Sequence, residues 1–212
     1  MKELEKRSFL CEVRAMATDD GSVIEGRPIV FGSRTHMRDW SGEWEEEITQ
    51  GALDKTDLTD VRFLVNHDIS RIPLARSRRN NGNSTMQLIV DDEGMRIRCL
   101  LDTENNSEAR SLYSAVQRGD ISGMSFMFSI SDEEWLELDS DMPLRKITGV
   151  SSVVEVSACT FPAYAATEIH ARSEATPEGG QSALEKARQQ RAAALEKAEI
   201  EKIRLQIQIF GG

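Results

Sequence analysis

Over much of the first 160 residues apolar and polar positions alternate with a period of two, the spacing of half-buried strands. Residues 9–15 alternate in this way, as do residues 86–90 and 95–101. The last two runs flank Asp91-Asp92-Glu93-Gly94, a turn-forming stretch, and together they predict a hairpin. Residues 61–66, 121–130, 135–138 and 150–161 add further short strands. A helical period interrupts them once. Ser107 can cap a helix, Glu108 sits in its first turn, and Ala109, Leu112, Tyr113 and Val116 form its apolar stripe. Gly119 then supplies a left-handed stop. Residues 51–58 suggest a second, shorter helix. Many strands with few helices predict an α+β domain: a mainly antiparallel β-barrel core, closed or nearly closed, with one or two packed helices and a C-terminal helical tail.

The pattern changes near Ser173, where Glu174-Ala-Thr-Pro-Glu-Gly-Gly reads as a linker. The chain thus divides into a body (residues 1–172), a linker (173–181) and a tail (182–212). Residues 182–204 are rich in Ala, Glu, Lys, Gln and Arg, all strong helix formers. Leu184, Ala187, Ala194 and Ala198 give this helix only a thin apolar seam. A solvated single helix and a coiled-coil or docking helix both fit that seam. From Ile203 onward the chain alternates with period two instead, which suits a strand and conflicts with a helix running to the end.

Charge narrows the classes of function. The net charge is −10, which argues against a nucleic-acid binder, since phosphates need a basic face. Residues 171–212 hold seven Lys and Arg against six Asp and Glu, so the body carries the imbalance. No apolar run approaches the roughly 20 residues of a membrane span, and no apolar stretch follows the charged N-terminus as a secretory signal would. Cys11, Cys99 and Cys159 are odd in number and lack metal-ligand spacing, as expected of buried thiols in a reducing compartment such as the cytoplasm.

Candidate chemistry starts from the three histidines, because general-base catalysis near neutral pH usually uses imidazole. His36 lies in a polar loop and His170 at the fringe of the linker, both read as surface residues. His67 ends an apolar strand, Val61-Arg-Phe-Leu-Val-Asn-His, where a rigid element gives way to a loop. Ser125 sits within an apolar run, between Met124 and Phe126, where a hydroxyl without a partner costs a few kcal/mol. It is either a nucleophile or a structural serine bonded to a neighbouring carbonyl. Its surroundings are not the Gly-x-Ser-x-Gly elbow, because Met127 takes the second glycine position. Glu155 interrupts a β-branched run, so it points either inward to a partner or harmlessly to solvent. An imidazole is the partner a triad would provide. Cys159, the other candidate nucleophile, has no nearby cation or helix N-terminus to form a thiolate and reads as a buried apolar residue.

Taken in order, these segments resemble the prohead maturation proteases of tailed bacteriophages with HK97-type capsids. The resemblance is carried by Ile24-Glu-Gly-Arg-Pro-Ile-Val-Phe-Gly, Glu45-Glu-Glu-Ile-Thr-Gln-Gly-Ala-Leu, Phe63-Leu-Val-Asn-His-Asp, Pro73-Leu-Ala, Asp92-Glu-Gly-Met, the stretch from Gly119 to Phe128, and Glu155-Val-Ser-Ala-Cys-Thr-Phe-Pro-Ala. They span about residues 8–170. The spacing is also similar to that of the herpesvirus assemblins. Met127, where a small residue is frequent, and Tyr164, where Asn often follows Pro-Ala, depart from the family pattern.

The resemblance implies a serine endopeptidase with His67 as base, Ser125 as nucleophile and Glu155 as third member. Asp68, next to His67, is the rival for that third place. It implies no cofactor and no metal. It further implies action inside an immature procapsid in the host bacterial cytoplasm, on the scaffolding region of the major capsid protein and on the enzyme itself. Homo-oligomerisation stays open, and neither nucleic acid nor membrane is expected as a partner. The competing reading is a non-enzymatic capsid-assembly module with Ser125 buried and inert.

Overall fold

The computed structural model describes residues 4–11, 13–160, 169–170 and 182–210. The alternating segments form two sheets, and the predicted hairpin is β8 (Met86–Asp91) with β9 (Gly94–Leu101). With β2 (Val13–Thr18) and β3 (Gly21–Val30) it makes a four-stranded antiparallel sheet in the order β2-β3-β9-β8. The larger sheet runs β1 (Glu5–Leu10), β10 (Gly123–Leu136), β11 (Leu144–Cys159), β5 (Gly42–Ile48), β4 (Thr35–Asp39), β12 (Ile169–His170). β6 (Arg62–Val65) and β7 (Ala75–Arg76) branch from β11.

The branch is possible because β11 is 16 residues long. Its first part pairs in parallel with β5, Leu144 opposite Glu45, and its last part pairs in parallel with β6, Glu155 opposite Arg62. Register shifts between β10 and β11, one of them at Met127/Phe128, let the long ribbon twist from one partner to the other. One apolar core fills the space between the sheets. It joins Ile24, Met95 and Ile97 with Phe63, Phe126 and Val156.

The helix α1 (Ser107–Gln117) closes this core with Ala109, Leu112 and Val116. Its cap is Asn106 rather than Ser107: the Asn106 side chain accepts from the N–H groups of Glu108 (2.9 Å) and Ala109 (3.2 Å). Gly119 does adopt the left-handed conformation, φ 77°.

Several expectations need correction. The fold is α+β and mostly strands with two helices, but no ladder closes either sheet into a barrel among the described residues. Residues 51–58 form turns instead of a short helix. The expected strand over residues 9–15 is split, since the chain leaves the large sheet at Leu10 and enters the small one at Val13. The tail is one helix, α2 (Ala183–Phe210), through the stretch whose alternation suited a strand. Twenty preceding residues of helix propagate into that stretch at little cost, and it pairs with no strand among the described residues. The first turns of α2 pack Leu184 and Ala187 against Met37, Trp44 and Leu138. The linker lies outside the described residues, and no described helix is long and apolar enough to cross a membrane.

A buried ion cluster ties β1 to the sheet. Arg7 grips Glu46 of β5 with Nε and Nη2, and Arg145 of β11 bonds Glu46 (3.1 Å), Glu5 (2.8 Å) and Glu133. Burial alone would raise the Glu5 carboxyl, but the guanidiniums of Arg7 and Arg145 outweigh it and hold it at about 2.

The contribution of Glu5 to β1 docking is therefore complete above its ordinary value of 4.5 and lost as pH falls toward about 2. The protection of residues 5–10 against hydrogen exchange, taken relative to the unfolded chain at the same pH, should fall within that window. At the β8–β9 turn, Gly94 has φ 148° and a Cβ there would lie 2.0 Å from the Ile29 carbonyl oxygen. Gly94→Ala is expected to cost at least about 2 kcal/mol in urea unfolding.

Candidate active site

Paired positions on neighbouring strands share a face, and the β10–β11 ladder sets Ser125 opposite Ser157 and Met127 opposite Glu155. The intervening residues Met124, Phe126, Val156 and Ala158 enter the apolar core. The other face of the same ladder collects Ser125, Ser157 and Glu155, all three buried. A carboxylate buried in that position needs a donor. His67 supplies one.

The imidazole reaches Glu155 because the chain turns sharply as it leaves β6. Asn66 and His67 are both left-handed, φ 51° and 61°, a conformation that costs non-glycine residues energy and persists only where the surroundings fix it. Here they do. The Asn66 N–H donates to the Ala158 carbonyl (3.0 Å), and the Asn66 side chain holds Thr160 at the end of β11 (2.8 and 2.9 Å). The His67 N–H donates to Ser157 Oγ (3.0 Å), whose hydroxyl donates in turn to Glu155 Oε2 (2.7 Å). Glu155 Oε1 then meets His67 Nδ1. Backbone, hydroxyl, carboxylate and ring thus form a closed loop that fixes the imidazole by both ends.

His67 Nε2, the ring nitrogen left over, is buried and has no hydrogen-bond partner. Ser125 lies one strand over, opposite Ser157, but its hydroxyl donates to the Arg7 carbonyl of β1 (2.6 Å) instead of to the ring. The structure therefore gathers His67 with Glu155 and sets Ser125 beside them, engaged elsewhere. On the loop side of His67 a recess of about 460 Å³ opens between residues 64–74 and α1, lined by Leu64, Asn66, Ile72, Leu112 and Ile121.

The remaining candidates fall away on geometry. Asp68 is exposed and accepts from the N–H and hydroxyl of Ser70, so its carboxylate is occupied away from the ring. His36 sits on the surface against Glu43, and His170 lies in β12. Cys159 is a free buried thiol, pushed up to about 12 by burial and by the neighbouring Glu155 charge. A thiol so placed is not a thiolate near neutral pH.

The sequence model of the family described as Caudovirus prohead serine protease matches residues 10–181. The chain belongs to this family. The prohead protease of Enterobacteria phage HK97 is similar, with 27% identity over 168 residues covering 77% of this chain. The match spans 66% of that relative's own length. No solved structure matches. The matched region contains β2 to β11 and every residue of the His67–Glu155–Ser157 loop, while almost all of β1 precedes it. Tyr164, one of the two departures from the prohead protease pattern, lies outside the described residues; Met127, the other, shares the face of Ser125.

Sequence reasoning missed Ser157, Asn66 and Arg7. Ser157 was findable, since a residue two positions from Glu155 on a strand shares its face. Arg7 carried no signal, because its role depends on a sheet neighbour more than 100 residues away.

Removing the Ser157 hydroxyl leaves the His67 N–H and one Glu155 oxygen unpaired in a buried place. Ser157→Ala should cost about 1–3 kcal/mol by chemical denaturation, against a smaller loss for the exposed Ser70→Ala.

Proposed function

We propose that the chain is a serine endopeptidase of procapsid maturation in which Ser125, His67 and Glu155 act together. The observation that carries this reading is the state of the imidazole. Its Nδ1 is fixed on a buried carboxylate and its Nε2 is held without a partner on the Ser125 side of the sheet. That is the arrangement of a general base awaiting a hydroxyl proton.

In the reaction, Ser125 Oγ attacks a peptide carbonyl as its proton passes to His67 Nε2. The imidazolium formed is stabilised by Glu155, which also keeps the proton of the neutral ring on Nδ1. The Nε2 proton then goes to the leaving amine, and a water repeats the sequence to release the acyl group. For this to begin, the Ser125 hydroxyl must turn from the Arg7 carbonyl toward the ring.

The substrate under this reading is the scaffolding region of the major capsid protein, together with the enzyme itself, inside the procapsid in the bacterial cytoplasm. Confinement in a closed shell supplies a high effective concentration of substrate, so tight binding is not required. Residues 1–172 serve as the protease domain, and α2 serves either as a packaging contact or as a segment removed on activation.

One observation favours a second reading. Ser125 is buried with its hydroxyl on a backbone carbonyl, as an inert serine of a capsid-assembly module would be.

Co-expression with the cognate capsid subunit separates the two. Ser125→Ala should lower the rate of subunit shortening at least about 10³-fold, with the fold retained and stability lowered by about 1–3 kcal/mol through the lost bond to the Arg7 carbonyl. Unchanged shortening by that variant favours the assembly module. Iodoacetamide at pH 8 should leave the wild-type activity intact, since burial pushes the Cys159 thiol up to about 12. Loss of activity there would transfer the nucleophile role to the thiol.

A further inference from the structure

The sheet edge beside the proposed nucleophile is not free. β1 lies antiparallel along β10, with Glu5 opposite Phe128 and Leu10 opposite Gly123, and it is the outermost strand of the large sheet. It covers Ser125 and accepts a hydrogen bond from its hydroxyl at the Arg7 carbonyl, while His67 Nε2 is unpaired. This strand also precedes the region that the prohead protease family matches, which starts at residue 10. An edge strand accepts any extended peptide that can complete its ladder. In this chain the peptide in place is its own N-terminal segment.

What holds β1 there is specific. The Arg7 side chain is almost completely buried, forks onto both oxygens of Glu46 and lies over the Phe128 ring, 5.8 Å from its centre. Both Glu5 and Arg7 belong to β1 itself. Lifting the strand away removes Glu5 and Arg7 together, so the charge balance does not change, but the buried Glu46 loses the guanidinium that forks onto it and keeps only Arg145 (3.1 Å), which it shares with Glu133. A buried carboxylate that loses its closest cation is destabilised, so a replacement strand that brings a cation to that place is favoured over one that does not. The planar fork of a guanidinium suits Glu46 better than an ammonium does.

We propose that the edge of β10 is the substrate-docking edge, that β1 fills it as an internal substitute, and that the peptide to be cut enters as an antiparallel strand. The substrate carries Arg, and less well Lys, at the residue whose carbonyl meets Ser125. This inference rests on Ser125 being the nucleophile. Glu46 is then a specificity residue, and the N-terminal segment blocks the site until it is displaced.

The test uses the full-length protein and fluorogenic octapeptides that differ only at one position, filled by Arg, Lys, Ala or Glu. Cleavage is expected at the carbonyl of that position, with kcat/KM for Arg at least 20-fold above Ala and Glu, and Lys between them. Glu46→Gln should reduce the Arg-to-Ala ratio at least 10-fold. Arg7→Ala, which loosens β1, should raise the rate on the Arg peptide about 10-fold; Arg7→Lys, which keeps the buried charge and is the safer fold, should raise it less. Equal cleavage of all four peptides overturns the inference, as does an Arg preference that survives Glu46→Gln. Silence of the wild type together with both Arg7 variants also overturns it, because β1 is then not the block. Ser125→Ala separates the two levels: if it cuts as well as the wild type, the catalytic reading fails, whereas a silent Ser125→Ala beside an unselective wild type sinks only the docking edge and its Glu46 site.

Discussion

A carboxylate buried against a sheet cannot remain there unpaired, and the geometry around Glu155 follows from that constraint. Its two oxygens are met by His67 Nδ1 and by the Ser157 hydroxyl. Meeting the first requires the chain after β6 to turn through two left-handed residues, a strain offset by the bonds of Asn66 to Ala158 and Thr160. Meeting the second uses a hydroxyl that also accepts the His67 N–H. Each bond therefore supports the next, and the imidazole is held with one nitrogen engaged and one kept available.

The long strand β11 makes this possible. It carries Glu155 and Ser157 on one face and core residues on the other, and it joins β10, β5 and β6 along its length. The ladder to β10 sets the level of Ser125, while the parallel pairing to β6 sets the level at which His67 leaves the sheet. Two different pairings of one strand thus bring together residues 58 positions apart in the chain.

A second buried ionic cluster lies along the same sheet, built from Glu5, Arg7, Glu46, Glu133 and Arg145. β1 supplies one carboxylate and one guanidinium to it, and Arg7 is the guanidinium that forks onto the buried Glu46. The apolar ladder residues Phe126 and Phe128 seal one side of β10, and the ion cluster fastens the strand that covers its edge. Under the proposed function, the stability of the resting protein and access to Ser125 oppose one another through this strand.

Much of the arrangement is determined locally and could be read from the residues alone. Period-two alternation places the β8–β9 hairpin, the apolar stripe and Gly119 bound α1, and three histidines in 212 residues single out His67 at the end of an apolar strand. Glu155 announces itself because a charge in a β-branched run is out of place. Other features are decided by partners distant in sequence. Whether strands close into a barrel or remain two open sheets depends on pairing energies that no single strand encodes, and the alternation after Ile203 loses to propagation of the helix that precedes it. The closed loop through Ser157, the left-handed turn at His67 and the contact of Ser125 with Arg7 exist only once β1, β6, β10 and β11 lie side by side. Hydrogen bonds between side chains on different strands depend on register, and register is a property of the assembled sheet.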